Sequence, residues 1–349
     1  MPIIRNPKEV EEIYDWLREE NVCLPAFCTE SFAATETILK AMHQTGVEYG
    51  IESPPAIIAL TASYPYRPQS INYTMARSSF LGFKAIMEDI KLFMSDASPY
   101  RDIRLLIHLD HAQPEADRRI LEEELDDLAT VMFDASTFPL EENIKRTAQF
   151  VERTKNLIRV EGAVDEISVK GKNRLSELTP VAMAERFLRE TGAYLIVPNL
   201  GTEQQSTENK AFYDSQQAKH ISQAIGKKLV LHGTSCLTEK DLKYLARDGI
   251  IRTNIWTALE KAGGEALAYF FIRELGNVLD ERQIRILQKE GFLANRYFET
   301  DYVNKICQGR LLPKVEQIIQ KRRTEVWARA VEDKIRFYLD ILGYQNLAK

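Results

Sequence analysis

Eight short apolar runs recur between residues 23 and about 275, each followed by a stretch with helical spacing. They are "CLPAF" (23–27), "AIIALTA" (56–62), "RLLIHLD" (104–110), "TVMFDA" (130–135), "LIRVEGA" (157–163), "YLIVPNL" (194–200), "KLVLHG" (228–233) and "IIRTNIW" (250–256). Runs this short that alternate with helices suit the buried strands of a parallel sheet. Helix signals fill the gaps. "PEADRRILEEELDDLA" carries an apolar stripe. "LTPVAMAERFLRETG" offers Thr179 as N-cap, Pro180 in the first turn and Gly192 as a stop. "LTEKDLKYLARDG" sets Thr238 opposite Asp241 as a capping box, with Gly249 as terminator. Asn6-Pro7 opens a further helix that runs to about Glu20.

Eight strands are the number that closes a (β/α)8 barrel. A doubly wound open sheet is the alternative, but no glycine-rich phosphate fingerprint follows the first run. The expected fold is α/β: a (β/α)8 TIM barrel over residues 1–275 with a C-terminal helical extension over 276–349. In that extension "LLPKVEQIIQKRRTEVWARAVEDKIRFYLDILG" reads as one or two long helices, packed on the barrel or on a partner subunit. Trp16 and Trp327 sit at helical spacing and are expected to pack the helical layer.

Composition excludes several function classes. A net charge of −5 and the lack of a basic tail argue against a nucleic-acid binder. No stretch of about 18 apolar residues exists for a membrane span. The acidic N-terminus lacks the apolar centre of a signal peptide, so a cytoplasmic protein is expected. Cys23, Cys28, Cys236 and Cys307 show no C-x-x-C spacing and are expected as free thiols.

Polar residues collect where the runs end. In the third run, alternation sends Leu105, Ile107 and Leu109 toward the helices and Leu106, His108 and Asp110 inward. His111 lies where the chain leaves the sheet. The seventh run turns Val230 and His232 inward before "GTS". The fourth ends at Asp134, and the eighth places Asn254 near its end, before Trp256 and Thr257. Three of five histidines thus fall at strand ends, two of them flanking an aspartate. Those ends form the face on which barrel active sites are built. Two imidazoles from separate strands suit Zn²⁺ or a similar divalent cation. An adjacent carboxylate suits general acid–base work. The loops after strands seven and eight suit a phosphate. The long segment "ASYPYRPQSINYTMARSS" (62–79) could line the entrance, with Arg67 or Arg77 available for an anion.

These residues resemble the class II, metal-dependent ketose-bisphosphate aldolase family. "PAFCTES", "IHLDHAQ", "VMFDASTFPLEENI", "LVLHGTS" and "RTNIWT" match its motifs in order over roughly residues 22–265. The resemblance implies an aldehyde-lyase that cleaves or forms a C–C bond in a phosphorylated ketose through an enediolate. Asp110 would move a proton at the aldehyde oxygen. His111 and His232 would hold Zn²⁺ or another divalent cation. Thr61, Asp134, Gly201, Gly233, Ser235, Asn254, Trp256 and Thr257 would surround the substrate and its phosphate. Glu166 or Glu177, on the loop after strand five, would handle the carbon-bound proton. A homodimer or larger homo-oligomer is also implied.

The chain departs from the family pattern at named positions. Gln204 and Gln205 stand where the third ligand histidine and its glycine are usual, leaving Gln204 or Glu203 as the third ligand. Cys28 stands for an asparagine, Ala163 for a glutamate and Thr234 for a glycine. Trp256 stands for a small residue. The alternative is a catalytically impaired structural or regulatory subunit. A Schiff-base aldolase would need a lysine at a strand's inner end. Lys170 falls in a loop and Lys228 begins a strand, so neither suits it.

Overall fold

In a computed structural model of the chain the eight apolar runs are eight strands: β1 (Leu24–Cys28), β2 (Pro55–Thr61), β3 (Arg104–Ala112), β4 (Thr130–Phe133), β5 (Arg159–Ala163), β6 (Leu195–Val197), β7 (Leu229–Leu231) and β8 (Ile250–Ile255). The structure describes residues 3–166, 177–205, 212–307, 309 and 311–348. Neighbouring strands pair in parallel, and β8 returns to β1 with Leu24 opposite Arg252, so the sheet closes in the order β1 to β8. The fold is a (β/α)8 TIM barrel.

The helix signals hold with local differences. The helix Pro7–Glu19 is capped by Asn6, whose side chain accepts from the Lys8 N–H. Thr238 and Asp241 form the capping box of the helix Glu239–Asp248, which ends on Gly249 at φ 97°. Thr179 does not cap its helix, which opens on Pro180. Its hydroxyl bonds Asp165 and accepts the Asn199 N–H instead. The stripe in "PEADRRILEEELDDLA" yields only the short helix Arg118–Glu123.

Contacts divide the chain into two compact units, residues 1–258 with 335–349, and residues 259–334. The division thus falls 17 residues before the expected one at 275/276, and the last fifteen residues belong with the barrel unit. There the Tyr344 hydroxyl donates to the Pro55 carbonyl at the start of β2. The second unit is helical and centres on Ile284 and Tyr297, with Leu279, Tyr302 and Ile306 packed against them. Within it a Cβ on Gly263 would lie 2.1 Å from the Trp327 indole nitrogen, so Trp327 packs as the helical spacing implied.

The barrel interior carries an unusual polar layer. Among the described residues Arg252 of β8 is the largest fully buried side chain, and it pairs with Glu161 of β5. His108 of β3 lies beside them, 2.8 Å from the Thr130 hydroxyl and 3.1 Å from the Arg252 guanidinium. His108 therefore points inward, as alternation required. Burial, reinforced by the Arg252 charge, lowers the His108 pKa and keeps the ring neutral. For Glu161, burial opposes ionisation, but Arg252 outweighs it and holds the carboxyl below the usual range.

Candidate active site

Regular alternation would send the adjacent residues Asp110 and His111 to opposite faces of β3. Two local features prevent that. The register against β4 shifts between Leu109 and Ala112, and His111 adopts φ 48°. A bulge of this kind re-aims side chains at a barrel rim. The left-handed backbone costs about 1 kcal/mol in a non-glycine residue. Surrounding contacts hold it: Tyr64 stacks flat on the His111 ring at 3.9 Å between centroids. Asp134, at the end of β4, takes the Nδ1 hydrogen at 2.7 Å.

Asp134 settles the His111 tautomer. With Nδ1 protonated toward the carboxylate, Nε2 carries a lone pair. That Nε2 faces His232 Nδ1 at 3.2 Å. Around the other His232 nitrogen, Nε2, lie Asp110 Oδ1 at 3.8 Å and Glu161 Oε1 at 3.9 Å. Both oxygens are buried without a hydrogen-bond partner. Asn254 Nδ2 lies 3.3 Å from the same nitrogen, and Asn254 Oδ1 is also unpartnered. Turning that amide over would present an acceptor, since its O and N are interchangeable in shape. A hydrogen on His232 Nε2 would serve the reversed Asn254 amide and point toward the two carboxylate oxygens, and it would leave Nδ1 bare. In that tautomer two imidazole lone pairs face each other at 3.2 Å. That separation matches an edge of a coordination shell with bonds of about 2.1 Å. These donors therefore fit a divalent cation. Gln204 lies beside the pair, its amide nitrogen 3.2 Å from His111 Nε2, and the reversed amide would present oxygen there.

Asp110 is fully buried. One oxygen pairs with the Arg67 guanidinium. Burial alone would raise its pKa, yet positive charge on His111, on His232 or on Arg67 holds it well below the usual carboxylate range, and of the three the Arg67 guanidinium carries that charge throughout. For His232, burial wins and lowers the pKa. Among the described residues, Asp110, His111 and His232 form the one group of three titratable side chains close enough to share a metal ion.

Next to these groups opens a small concavity, to which Arg67, Gln204, Gly233, Ser235, Trp256 and Thr257 contribute walls. Gly233 sits at φ 74°, and a Cβ there would lie 2.7 Å from the Glu203 carbonyl oxygen. Only glycine lets the loops after β6 and β7 approach so closely. Thr202 on the first of these donates to the His232 carbonyl at 2.7 Å, fixing the backbone under the imidazole.

Not every expected residue comes to this point. Thr61 is fully buried and its hydroxyl is engaged by the Arg67 carbonyl, so it anchors the loop after β2. Gly201 is bound through its N–H to the Asn199 side chain. The carboxylate that joins the histidines is Asp110, not Glu203. Glu166 and Glu177 are exposed at either end of residues 167–176, which lie outside the described residues, as does Lys170. Arg77 is exposed and bonded to Asn72, while Arg67 is committed to Asp110 rather than free for an anion. Cys23, Cys28 and Cys236 are free and buried. Sequence reasoning missed Arg67 as the partner of Asp110, Tyr64 as the plate under His111, and the Glu161–Arg252 pair. The only sequence signal for that pair was a charged residue inside each of two apolar runs.

No helix among the described residues is long and apolar enough to cross a membrane. The model of the family described as fructose-bisphosphate aldolase class-II matches residues 8–310. The fold is similar to the crystal structure of fructose-bisphosphate aldolase from Campylobacter jejuni, with a TM-score of 0.68 at 15% identity over 97% of this chain and 96% of that one. It is also similar to the YdjI aldolase from Escherichia coli K12, with a TM-score of 0.60 at 18% identity over 97% and 98% of the two chains. At these identities the structures speak for the fold alone. The family match spans most of the chain, and the chain belongs to the class-II fructose-bisphosphate aldolase family.

Proposed function

We propose that this chain is a metal-dependent aldolase that cleaves or forms a C–C bond in a phosphorylated ketose or a related sugar. Membership of the class-II family supports lyase chemistry of this type. The observation that carries the metal is the approach of His111 Nε2 to His232 Nδ1 at 3.2 Å, with the other His111 nitrogen 2.7 Å from Asp134. A bound Zn²⁺ or other divalent cation would supply Lewis-acid polarisation of the substrate carbonyl.

The chain's own groups do the rest. His111 and His232 hold the ion, with the Gln204 amide as third donor, and Asp134 keeps Nε2 of His111 unprotonated. Asp110, held as a carboxylate, accepts the hydroxyl proton as the C–C bond breaks and returns it in condensation. Gly233, Ser235, Asn254 and Thr257 bind the phosphate-bearing half in the concavity beside His232. Glu166 and Glu177 are the candidates for the proton on carbon. Burial of Asp110 and His111 excludes water from the proton in transit. The reading extends to a homodimer or larger assembly, measurable by sedimentation.

A second reading, a catalytically impaired regulatory subunit, is favoured by one observation: an amide stands 3.2 Å from His111 where the family has an imidazole. Metal analysis separates the readings. The purified protein is expected to hold about one divalent ion per chain. His111→Ala and His232→Ala should each lose it. A metal-free protein whose melting temperature ignores added Zn²⁺ would refute the metal site.

A further inference from the structure

Asp110 has two roles open to it. It is placed to move a proton, and it also lies among donor atoms within 4.8 Å of one another that could share a cation. A carboxylate coordinated to a cation is a poor proton carrier, because the cation depresses its basicity. Something must keep Asp110 out of the coordination shell.

Arg67 is built to do so. It is only 7% exposed, and its guanidinium takes one Asp110 oxygen while lying 3.3 Å from Cys28 Sγ. Trp256 covers it, 5.7 Å from ring centroid to guanidinium carbon. Its backbone is pinned as well, the Arg67 carbonyl accepting from the Thr61 hydroxyl and the Gln69 N–H. The neighbouring Tyr66 carbonyl accepts from Gln205 Nε2 at 2.5 Å. Cys28, Gln205 and Trp256, three positions at which the chain departs from the family pattern, therefore all touch Arg67 or the residue before it.

Resting on the metal reading above, we propose that Arg67 is a positioning residue that tethers Asp110 away from the metal ion and so reserves it for proton transfer. A guanidinium suits this task, since it stays charged and its planar fork fixes the carboxylate direction. Without the tether, the unpartnered Asp110 oxygen has only a short swing to a metal held by His111 and His232.

The test uses Co²⁺ as the probe in full-length protein stripped with chelator, read by visible absorption and by calorimetric titration. In wild type, Asp110→Asn should leave the Co²⁺ ligand-field spectrum unchanged. Arg67→Met should shift the spectrum and tighten Co²⁺, as gain of a carboxylate ligand requires. Asp110→Asn in the Arg67→Met background should restore the wild-type spectrum, which mere loss of a nearby positive charge would not explain. Arg67→Lys, which keeps the charge but loses the fork, should fall between and covers a failure of Arg67→Met to fold. A changed spectrum in Asp110→Asn alone, or an unchanged one in Arg67→Met, would overturn the tether while leaving the metal site standing. Failure of wild type to bind Co²⁺ at all would overturn the metal reading and the tether with it.

Discussion

Asp134→Asn is the most informative single substitution, because its effect follows from one hydrogen-bond chain. Asp134 Oδ2 accepts the His111 Nδ1 hydrogen at 2.7 Å, and Oδ1 accepts the Ser136 backbone N–H at 3.2 Å and its hydroxyl at 2.6 Å. An asparagine in the same place must keep its oxygen toward the Ser136 N–H, which is an obligatory donor. Its amide nitrogen then faces His111 and donates to Nδ1. The imidazole responds by moving its hydrogen to Nε2, the atom that points at His232. The substitution thus blocks a ligand without changing a ligand. Loss of an outer partner of this kind costs about 10–100-fold in metal affinity, and the reversed tautomer puts the effect at the upper end. The expected loss is about 100-fold, or roughly 2.8 kcal/mol at 1.4 kcal/mol per tenfold. Calorimetric titration of Zn²⁺ into chelator-treated protein reads it directly. His111 itself is untouched and the fold should hold, so circular dichroism should match wild type. Affinity within twofold of wild type would refute the tautomer reasoning.

Two further predictions concern the interior. Glu161→Gln strips the buried Arg252 guanidinium of its counter-charge, and removing one partner of a buried pair costs about 3–5 kcal/mol; equilibrium urea denaturation should show it, and a loss under 1 kcal/mol would mean water reaches Arg252. The lowered pKa values of His108 and His232 give a pH dependence whose sign is fixed. Below the unfolded value of about 6.5 the unfolded chain binds more protons than the folded one, so stability is full above that pH and falls beneath it, by up to about 1.4 kcal/mol per unit for each ring. Melting of chelator-treated protein should therefore drop between about pH 7.5 and 5.5. His108→Gln should make the drop shallower, and a flat profile in wild type would contradict the burial argument.

The barrel was legible because its strands are buried on both faces and interrupted by helices with capping signals, and all eight runs became strands. Strand ends were less legible. β6 and β7 are only three residues each, because "PNL" and "HG" leave the sheet to build loops. His111 and His232 could be placed at the mouth from alternation and strand ends. The bulge that brings Asp110 and His111 to one side had no composition signal, since a positive φ in histidine depends on what packs around it. Arg67 and Tyr64 come from a long loop whose path no periodicity encodes. Thr61 looked available at a strand end, yet tertiary contacts used its hydroxyl to hold that loop. The contact-based division differs from the expected boundary because the last helical stretch reads as one amphipathic pattern while contacts group its end with the barrel.

The central claim is aldol chemistry that depends on a metal ion and on Asp110. It is tested most directly by following retro-aldol cleavage of a panel of ketose mono- and bisphosphates with wild-type protein, chelator-treated protein and Asp110→Asn. Cleavage of at least one member is expected, abolished by chelator, restored by a divalent cation, and reduced by about 10²-fold or more in Asp110→Asn. No cleavage of any member by metal-loaded protein, or cleavage that survives in Asp110→Asn, would contradict the account.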